Sequence, residues 1–325
     1  MAGENLTAPF DLALDGSSFF GIRNIGVAQC LCDHGPIVLS NAQRYGGISS
    51  NALIAAVMAT ARENIPSYLY ALYDIVDEVA PLPFGALSVG FDFIDRLRSA
   101  LKANLPSDAH VKATDRLYVK ATVLNIVDKY NSVSVHDVDQ GTSSSIRTKG
   151  PKVFEIGDRC WKIGNEVEIS RYESLEELIE VLLGCIYVPW FPGWIPPQYN
   201  GRFLGDATLL QTSNLPSNVN FSFGTPNKLI RISPDPKSRA TMRDKIACGW
   251  VDTTGQRFDI SALEMFRTGN GLYPPPKGHL EAYYADGYED ATRFLKFYHC
   301  YAENQKGFEP RHDRYAAVHS VEDLR

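Results

Sequence analysis

The 325-residue chain lacks the marks of several functional classes. It has no basic stripe: the formal net charge is −6, and no long run of one sign interrupts the sequence. Nothing in it would displace counterions along a phosphate backbone, so nucleic acid is not expected as a partner. Cysteine is sparse, and no two of Cys30, Cys32, Cys160, Cys185, Cys248 and Cys300 form a CxxC pair. None clusters with histidine at zinc spacing, so neither a metal nor another cofactor is expected, and the thiols read as reduced and buried. There is no run of about 18 apolar residues, hence no expected membrane-spanning helix. The nearest approach, VLLGCIYVPWFPGWIPP over 181–197, is broken by four prolines and two glycines. The opening MAGENLTAPF has no charged segment followed by an apolar one, so no secretory leader is expected and the cytoplasm is the expected compartment. The histidines, His34, His110, His136, His279, His299, His312 and His319, fall in polar or helical contexts. None of them is an evident general base.

What is present is an alternation of strands and helices. FDLALDG over 10–16 alternates Phe10, Leu12 and Leu14 and predicts a strand. FFGIRNIGVAQCLCDHG over 19–35 predicts a helix that stops at Gly35-Pro36. PIVLS over 36–40 reads as a short strand or as an apolar connection. A helix follows from Asn51, with Leu53, Ile54, Val57, Met58 and Ala61 on one stripe. Helices are expected over 64–78 and 91–104, a strand over 116–127, and a further strand in NEVEISRY. The polar segment 128–150 reads as a surface insertion. SLEELIEVLLGCI over 174–186 predicts a helix with Ser174 as cap and Glu177 closing a capping box. This order predicts an α/β sheet. The pattern weakens after Asn218, where a C-terminal helical extension packing on the sheet is expected. No internal repeat is visible.

Gly47-Ile48-Ser49 is the front of a nucleophile elbow, G-x-S-x-G. The elbow turns so sharply from strand to helix that the positions two before and two after the serine must be small. Gly47 meets the first demand, and Asn51 stands where the second glycine belongs. Short motifs misfire often, and a plain Gly-Ser turn before a helix is the competing reading. GSSFFG over 16–21 lies between a strand and a helix, where backbone N–H groups can hold an oxyanion. A dinucleotide loop fits it less well, because Ser18 replaces the second glycine and no ribose-binding acid follows. Asp206 is the only acidic residue between Glu180 and Asp235, downstream of an apolar, proline-rich stretch. Desolvation there would raise its pKa toward that of a useful base, although a turn or cap role is the commoner fate of Gly-Asp.

Together these pieces resemble the patatin-like phospholipase family, most of all its adipose triglyceride lipase and adiponutrin group. GSSFFGIRNIGVAQCL is similar to that group's GCGFLG…VGVA.CL, and YGGISSNAL to its YGASAGAL. NLPSDAHVKATDRLYV resembles LP..AH…GRL.I, and the stretch from SLEELIEV to GRFLGDA resembles S.DELI.A…G.RYVDGG. LYPPPKGHLEAYYADGYEDATRFLK resembles LFPP…GYRDGLRFL. The match runs discontinuously from about residue 10 to 298.

The resemblance implies a three-layer α/β/α sandwich with a mixed central sheet. It implies a patatin-like acyl hydrolase domain over 8–217 and a helical extension over 218–325. Ser49 would be the nucleophile and Asp206 the base, a dyad without histidine. Gly16, Ser17, Ser18 and Gly21 would line the oxyanion loop, and Gly47 and Asn51 would shape the elbow. The implied substrates are long-chain acylglycerols or phospholipids, met at a lipid droplet or membrane surface and serving triacylglycerol homeostasis, with a protein activator as a further partner. YVPWFPGWIPP would then face lipid, or else lie buried beneath the site.

Three departures fall on the machinery. GxGxxG is GSSFFG, GxSxG is GISSN, and D-G-G is Asp206-Ala207-Thr208, with two extra residues before Asn214-Leu215-Pro216. Glycine serves where the backbone is strained or closely approached. Losing one oxyanion donor costs about 10²–10³ in rate, and a displacement of about 1 Å costs roughly 10². A β-carbon at Ser18 is expected to disturb one donor, and Asn51 to push its helix off the sheet. The alternative function is therefore a catalytically impaired lipid-droplet protein that acts by binding lipid or a partner.

Overall fold

FDLAL forms strand β1 (Phe10–Leu14), and all of it is buried. Continuous burial marks a central parallel strand with both faces covered. The structure, a computed structural model, describes residues 9–16, 19, 21–127, 153–156, 159–188, 195–210, 221, 223, 228–233, 245–247, 274 and 277–303. The insertion expected at 128–150 lies outside the described residues, as do residues 189–194 of the proline-rich stretch.

After β1 come α1 (Gly21–His34), α2 (Pro36–Asn41), β2 (Ala42–Ile48) and α3 (Ser50–Thr60). Then follow α4 (Ile65–Val79), α5 (Phe93–Asn104), α6 (Ala109–Ala113) and β3 (Leu117–Val127). The hairpin β4 (Val153–Ile156) and β5 (Arg159–Ile169) leads to α7 (Leu175–Gly184). The last elements are β6 (Gln198–Tyr199), β7 (Arg202–Asp206), β8 (Lys228–Ser233), β9 (Lys245–Ala247) and α8 (Lys277–Phe297). The sheet runs β4-β5-β3-β2-β1-β8-β9, and β7 joins it on β3 with β6 outside. Strands β3, β2, β1, β8 and β9 are mutually parallel, whereas β5 and β7 run antiparallel to β3. The fold is α/β, as the pattern predicted, and its central sheet is mixed, as the resemblance implied.

Two expectations are corrected. PIVLS is neither strand nor connection but helix α2, with Pro36 in its first turn, where a fixed φ and a missing N–H cost nothing. Ser40 Oγ and Asn41 Nδ2 donate to the Ile37 carbonyl at 2.9 Å each. The strand that carries the elbow is instead AQRYGGI. The segment after 217 is not helical alone: β8 pairs with β1 and β9 with β8, so it supplies two strands to the same sheet.

The Ser174 cap forms as expected, its Oγ accepting the Glu177 N–H at 3.1 Å. The Glu177 carboxylate accepts from Glu173 N–H at 2.6 Å, one residue before the capping box would have it.

Helix α8 lies against α1 so closely that neither contact point tolerates a side chain. A β-carbon on Gly26 would sit 2.0 Å from the Tyr284 carbonyl oxygen, and one on Gly287 1.9 Å from that of Arg23. Arg23 and Asp290 form an ion pair inside this contact, with side chains only 1% and 2% exposed. Tyr288 Oη donates to Asp33 at 3.0 Å, and the chain beyond α8 closes on α1 through Ala302 N–H to His34 O at 2.8 Å.

Candidate active site

Ser49 sits between β2 and α3 with φ 54° and ψ −142°, a region that belongs almost wholly to glycine. Such a strained turn lifts a serine hydroxyl above the end of the sheet. Gly47 makes the turn possible: a β-carbon there would lie 2.3 Å from Ala52 Cα and 2.8 Å from Ala52 N. Both are backbone atoms of the helix start, so nothing could yield.

Asn51 is fully buried, and its Nδ2 donates to the carbonyl of Asp15 at the end of β1. Gly21 gives it room, since a β-carbon at Gly21 would stand 3.3 Å from Asn51 Oδ1. The expected displacement of α3 does not separate the serine from its partner. The amide is instead a clamp between α3 and β1.

The sheet brings Asp206 to Ser49. Strand β3 uses one edge twice. Its first half pairs with β2, ending at Ile48 opposite Lys120. Its second half pairs with β7, beginning with Asp206 opposite Ala121. Two strands separated by over 150 residues therefore end head to head on adjacent residues of a third. Ser49 Oγ donates to Asp206 Oδ2 at 2.7 Å. The other carboxylate oxygen accepts the Thr208 N–H at 2.9 Å and the Thr208 hydroxyl at 2.8 Å. Asp206 is 4% exposed. Burial lifts its pKa above the ordinary value of 3.8, and the bonds from Ser49 and Thr208 pull it partly back. Among the described residues, no ion pair includes Asp206.

Ser49 and Asp206 open onto a cavity of about 380 Å³. Its walls are apolar, among them Phe19, Leu53, Val76, Phe93, Leu97 and Ile186. Gly16, Gly21 and Ile22 also border it, so the N-terminus of α1 meets the cavity beside the serine. First-turn amides of a helix have no intrahelical acceptor and favour negative charge. Ser17 and Ser18 lie outside the described residues. Among the described residues, no histidine lines this cavity, and no group of three or more His, Cys, Asp and Glu could hold a metal ion. No described helix is long and apolar enough to cross a membrane.

Sequence reasoning missed two contributors. Thr208 was visible only as a departure from D-G-G, yet its hydroxyl holds the carboxylate. Cys185 lies against the elbow, its Sγ 3.5 Å from the Ser49 carbonyl and 3.0 Å from that of Leu182, the nearer acceptor for its single proton. Burial raises this thiol well above its ordinary pKa, and the Asp206 charge adds to that, so it stays protonated. Nothing in the local sequence marks it.

No family model matches the chain. Curated relatives do. The chain is 27% identical over 286 residues to patatin-like phospholipase domain-containing protein 4 of Homo sapiens, covering 88% of this chain and 96% of that protein. It is 25% identical over 289 residues to patatin-like phospholipase domain-containing protein 5 of Mus musculus, covering 88% and 56%. It is 28% identical over 292 residues to the omega-hydroxyceramide transacylase of Mus musculus, covering 89% and 41%. The chain thus spans nearly all of the first relative and about half of the length of the other two. Among solved structures, VipD from Legionella pneumophila aligns with a TM-score of 0.41 and 10% identity, over 89% of this chain and 67% of that one. That score is too low to bear on the fold. At family level the chemistry of the relatives is lipid acyl hydrolysis or transfer. Along most of its length the chain is similar to patatin-like phospholipase domain-containing proteins, the family that its motifs resemble.

Proposed function

We propose that the chain is a serine acyl hydrolase that cleaves long-chain acylglycerol or phospholipid esters, with Ser49 as nucleophile and Asp206 as general base. The observation that carries this reading is the 2.7 Å bond from Ser49 Oγ to a buried carboxylate in an apolar cavity. A cavity of about 380 Å³ lies in the range of ligand pockets, roughly 300–1,000 Å³. Its apolar walls suit an acyl chain, with the ester carbonyl held at the polar end where Ser49 lies.

Asp206 accepts the Ser49 proton as Oγ attacks the ester carbonyl. The carbonyl oxygen gains the negative charge, and backbone N–H groups of the 16–21 loop and the start of α1 stabilise it. Protonated Asp206 returns the proton to the departing alcohol. Water, deprotonated by Asp206, then frees the fatty acid and Ser49. The carboxylate acts without a histidine because burial raises its proton affinity toward that of a useful base.

The chain works on the surface of lipid droplets or membranes in the cytoplasm, where long-chain esters collect, and serves triacylglycerol turnover. A protein activator is a further partner in this reading. The competing reading, a lipid-binding protein with little catalysis, draws on the non-glycine residue Ser18 in the oxyanion loop.

Emulsified triolein and phosphatidylcholine vesicles, with free fatty acid measured, test the proposal. The expected result is release by the native chain and none by Ser49→Ala. Equal release from both, or none from either, contradicts it.

A further inference from the structure

We infer that the connection between α4 and α5 is the surface by which this chain docks on neutral or zwitterionic lipid, with Phe84 and Val89 entering it. The inference rests on the reading of the cavity as the acyl site and names where that site meets its lipid.

Phe84 is 62% exposed, and Val89, at 93%, is the most exposed large apolar side chain among the described residues. From Val79 to Phe91, VAPLPFGALSVGF, there is no charged residue. Two exposed apolar side chains flanking an uncharged turn can enter an apolar medium without desolvating a charge. Its position says with what. The connection joins the ends of two helices that wall the cavity: Leu72, Ile75 and Val76 line it from α4, and Phe93 and Leu97 from α5. Phe93 also packs on Phe19, 5.9 Å between ring centroids, at the loop that borders the dyad. The apolar projection and the apolar cavity thus share helices α4 and α5. An acyl chain leaving a lipid surface at Phe84 and Val89 would enter the cavity along the two helices that carry both.

Charge selects the kind of surface. Residues 74–98 hold five acids, Asp74, Asp77, Glu78, Asp92 and Asp95, and only two bases. Those bases are engaged, Arg96 with Glu78 and Arg98 with Glu180. A rim of net negative charge is repelled by anionic headgroups and tolerated by neutral ones. Attachment therefore comes from apolar insertion and not from electrostatics.

Flotation with phosphatidylcholine vesicles tests this, using the full chain carrying Ser49→Ala so that turnover does not alter the vesicles. The expected result is that this protein floats and that adding Phe84→Asp and Val89→Asp weakens its partition about a hundredfold. Adding phosphatidylserine to the vesicles should weaken the parent's binding. Phe84→Trp should give fluorescence that brominated phosphatidylcholine quenches, a readout independent of any folding loss in the aspartate variant. Undiminished flotation of the aspartate variant, tighter binding to phosphatidylserine vesicles, or no added quenching in Phe84→Trp over its parent would overturn the inference. So would a change from dimer to monomer on substitution, which would make the patch a contact between copies. Fluorophosphonate labelling of lipid-free protein with Ser49 intact tests the dyad separately, so failure of one reading is not mistaken for failure of the other.

Discussion

Asp206 and Asp290 are both 4% exposed, yet they are held in opposite ways. Asp290 faces the guanidinium of Arg23, where α8 presses on α1. Asp206 faces two hydroxyls and an amide, with an apolar cavity beyond. A buried carboxylate paired with a fixed cation serves the fold, even though burial raises the pKa of Asp290 as it does that of Asp206 and Arg23 only partly opposes this. One answered only by neutral donors keeps its affinity for a proton, and one of those donors can give it up. Helix α1 joins the two regions: Gly21 and Ile22 border the cavity, and Arg23 begins the contact with α8. The difference between a structural and a reactive aspartate therefore lies in the partner and not in the burial.

The largest effect expected from breaking this contrast is at Asp206. Asp206→Asn keeps the shape and removes the base, so ester hydrolysis should fall by about 10²–10⁴. The melting temperature should not drop with it, because a desolvated charge is removed. Turnover and thermal unfolding of the same preparation check both halves. At the other carboxylate the outcome reverses. Arg23→Met leaves buried Asp290 with only the 3.4 Å contact to Arg293 and should lower unfolding free energy by about 3 kcal/mol. Adding Asp290→Leu should recover most of that loss in denaturant titrations.

A smaller change sharpens the contrast within the site. Thr208→Val removes one donor to the carboxylate but leaves the backbone N–H. Less support for the charged form raises the Asp206 pKa further, so the acid limb of the pH–rate profile should move up by about one unit. Thr208→Ser should restore it. A limb that stays in place would deny Thr208 any part in setting the base.

The smallest effect concerns Asp286, one turn before Asp290. Burial pushes its pKa up to about 7 from 3.8; neighbouring Asp290 adds to this, and Arg23 and Arg293 oppose it, as Glu289 does not. A carboxyl whose folded pKa is raised contributes most stability in acid and loses it as pH rises from about 3.8 through about 7. Asp286→Asn should flatten that decline, by a few °C at most between pH 5 and 8. Thermal melts across that range would detect it.

Much of the fold was legible because helices α1, α3, α4, α5 and α7 each carry an apolar stripe, and β1 a run of buried apolar residues. Strand β2 was not. Its residues Gln43, Arg44, Gly46 and Gly47 carry little strand signal, whereas the apolar PIVLS beside it does, though Pro36 starts a helix there. Strands β8 and β9 are short; pairing with β1, over 200 residues away, defines β8 more than its own pattern does, and pairing with β8 defines β9. At the site, Ser49, Gly47 and Asp206 were visible because a motif constrains residue type where the backbone is tight. The roles of Asn51 and Thr208 were not, since each depends on a neighbour that only folding supplies: the Asp15 carbonyl for one, the second oxygen of Asp206 for the other. Asn51 read as damage to the elbow, and it is a strut.

The central claim is that Asp206 draws the proton from Ser49. Its most direct measurement is the rate of Ser49 phosphonylation by a fluorophosphonate, followed against pH in the native chain and in Asp206→Asn. The account predicts a rate that rises with an apparent pKa above 3.8 in the native chain, and a slow rate without that rise in the variant. Identical rates and profiles in the two proteins would contradict it.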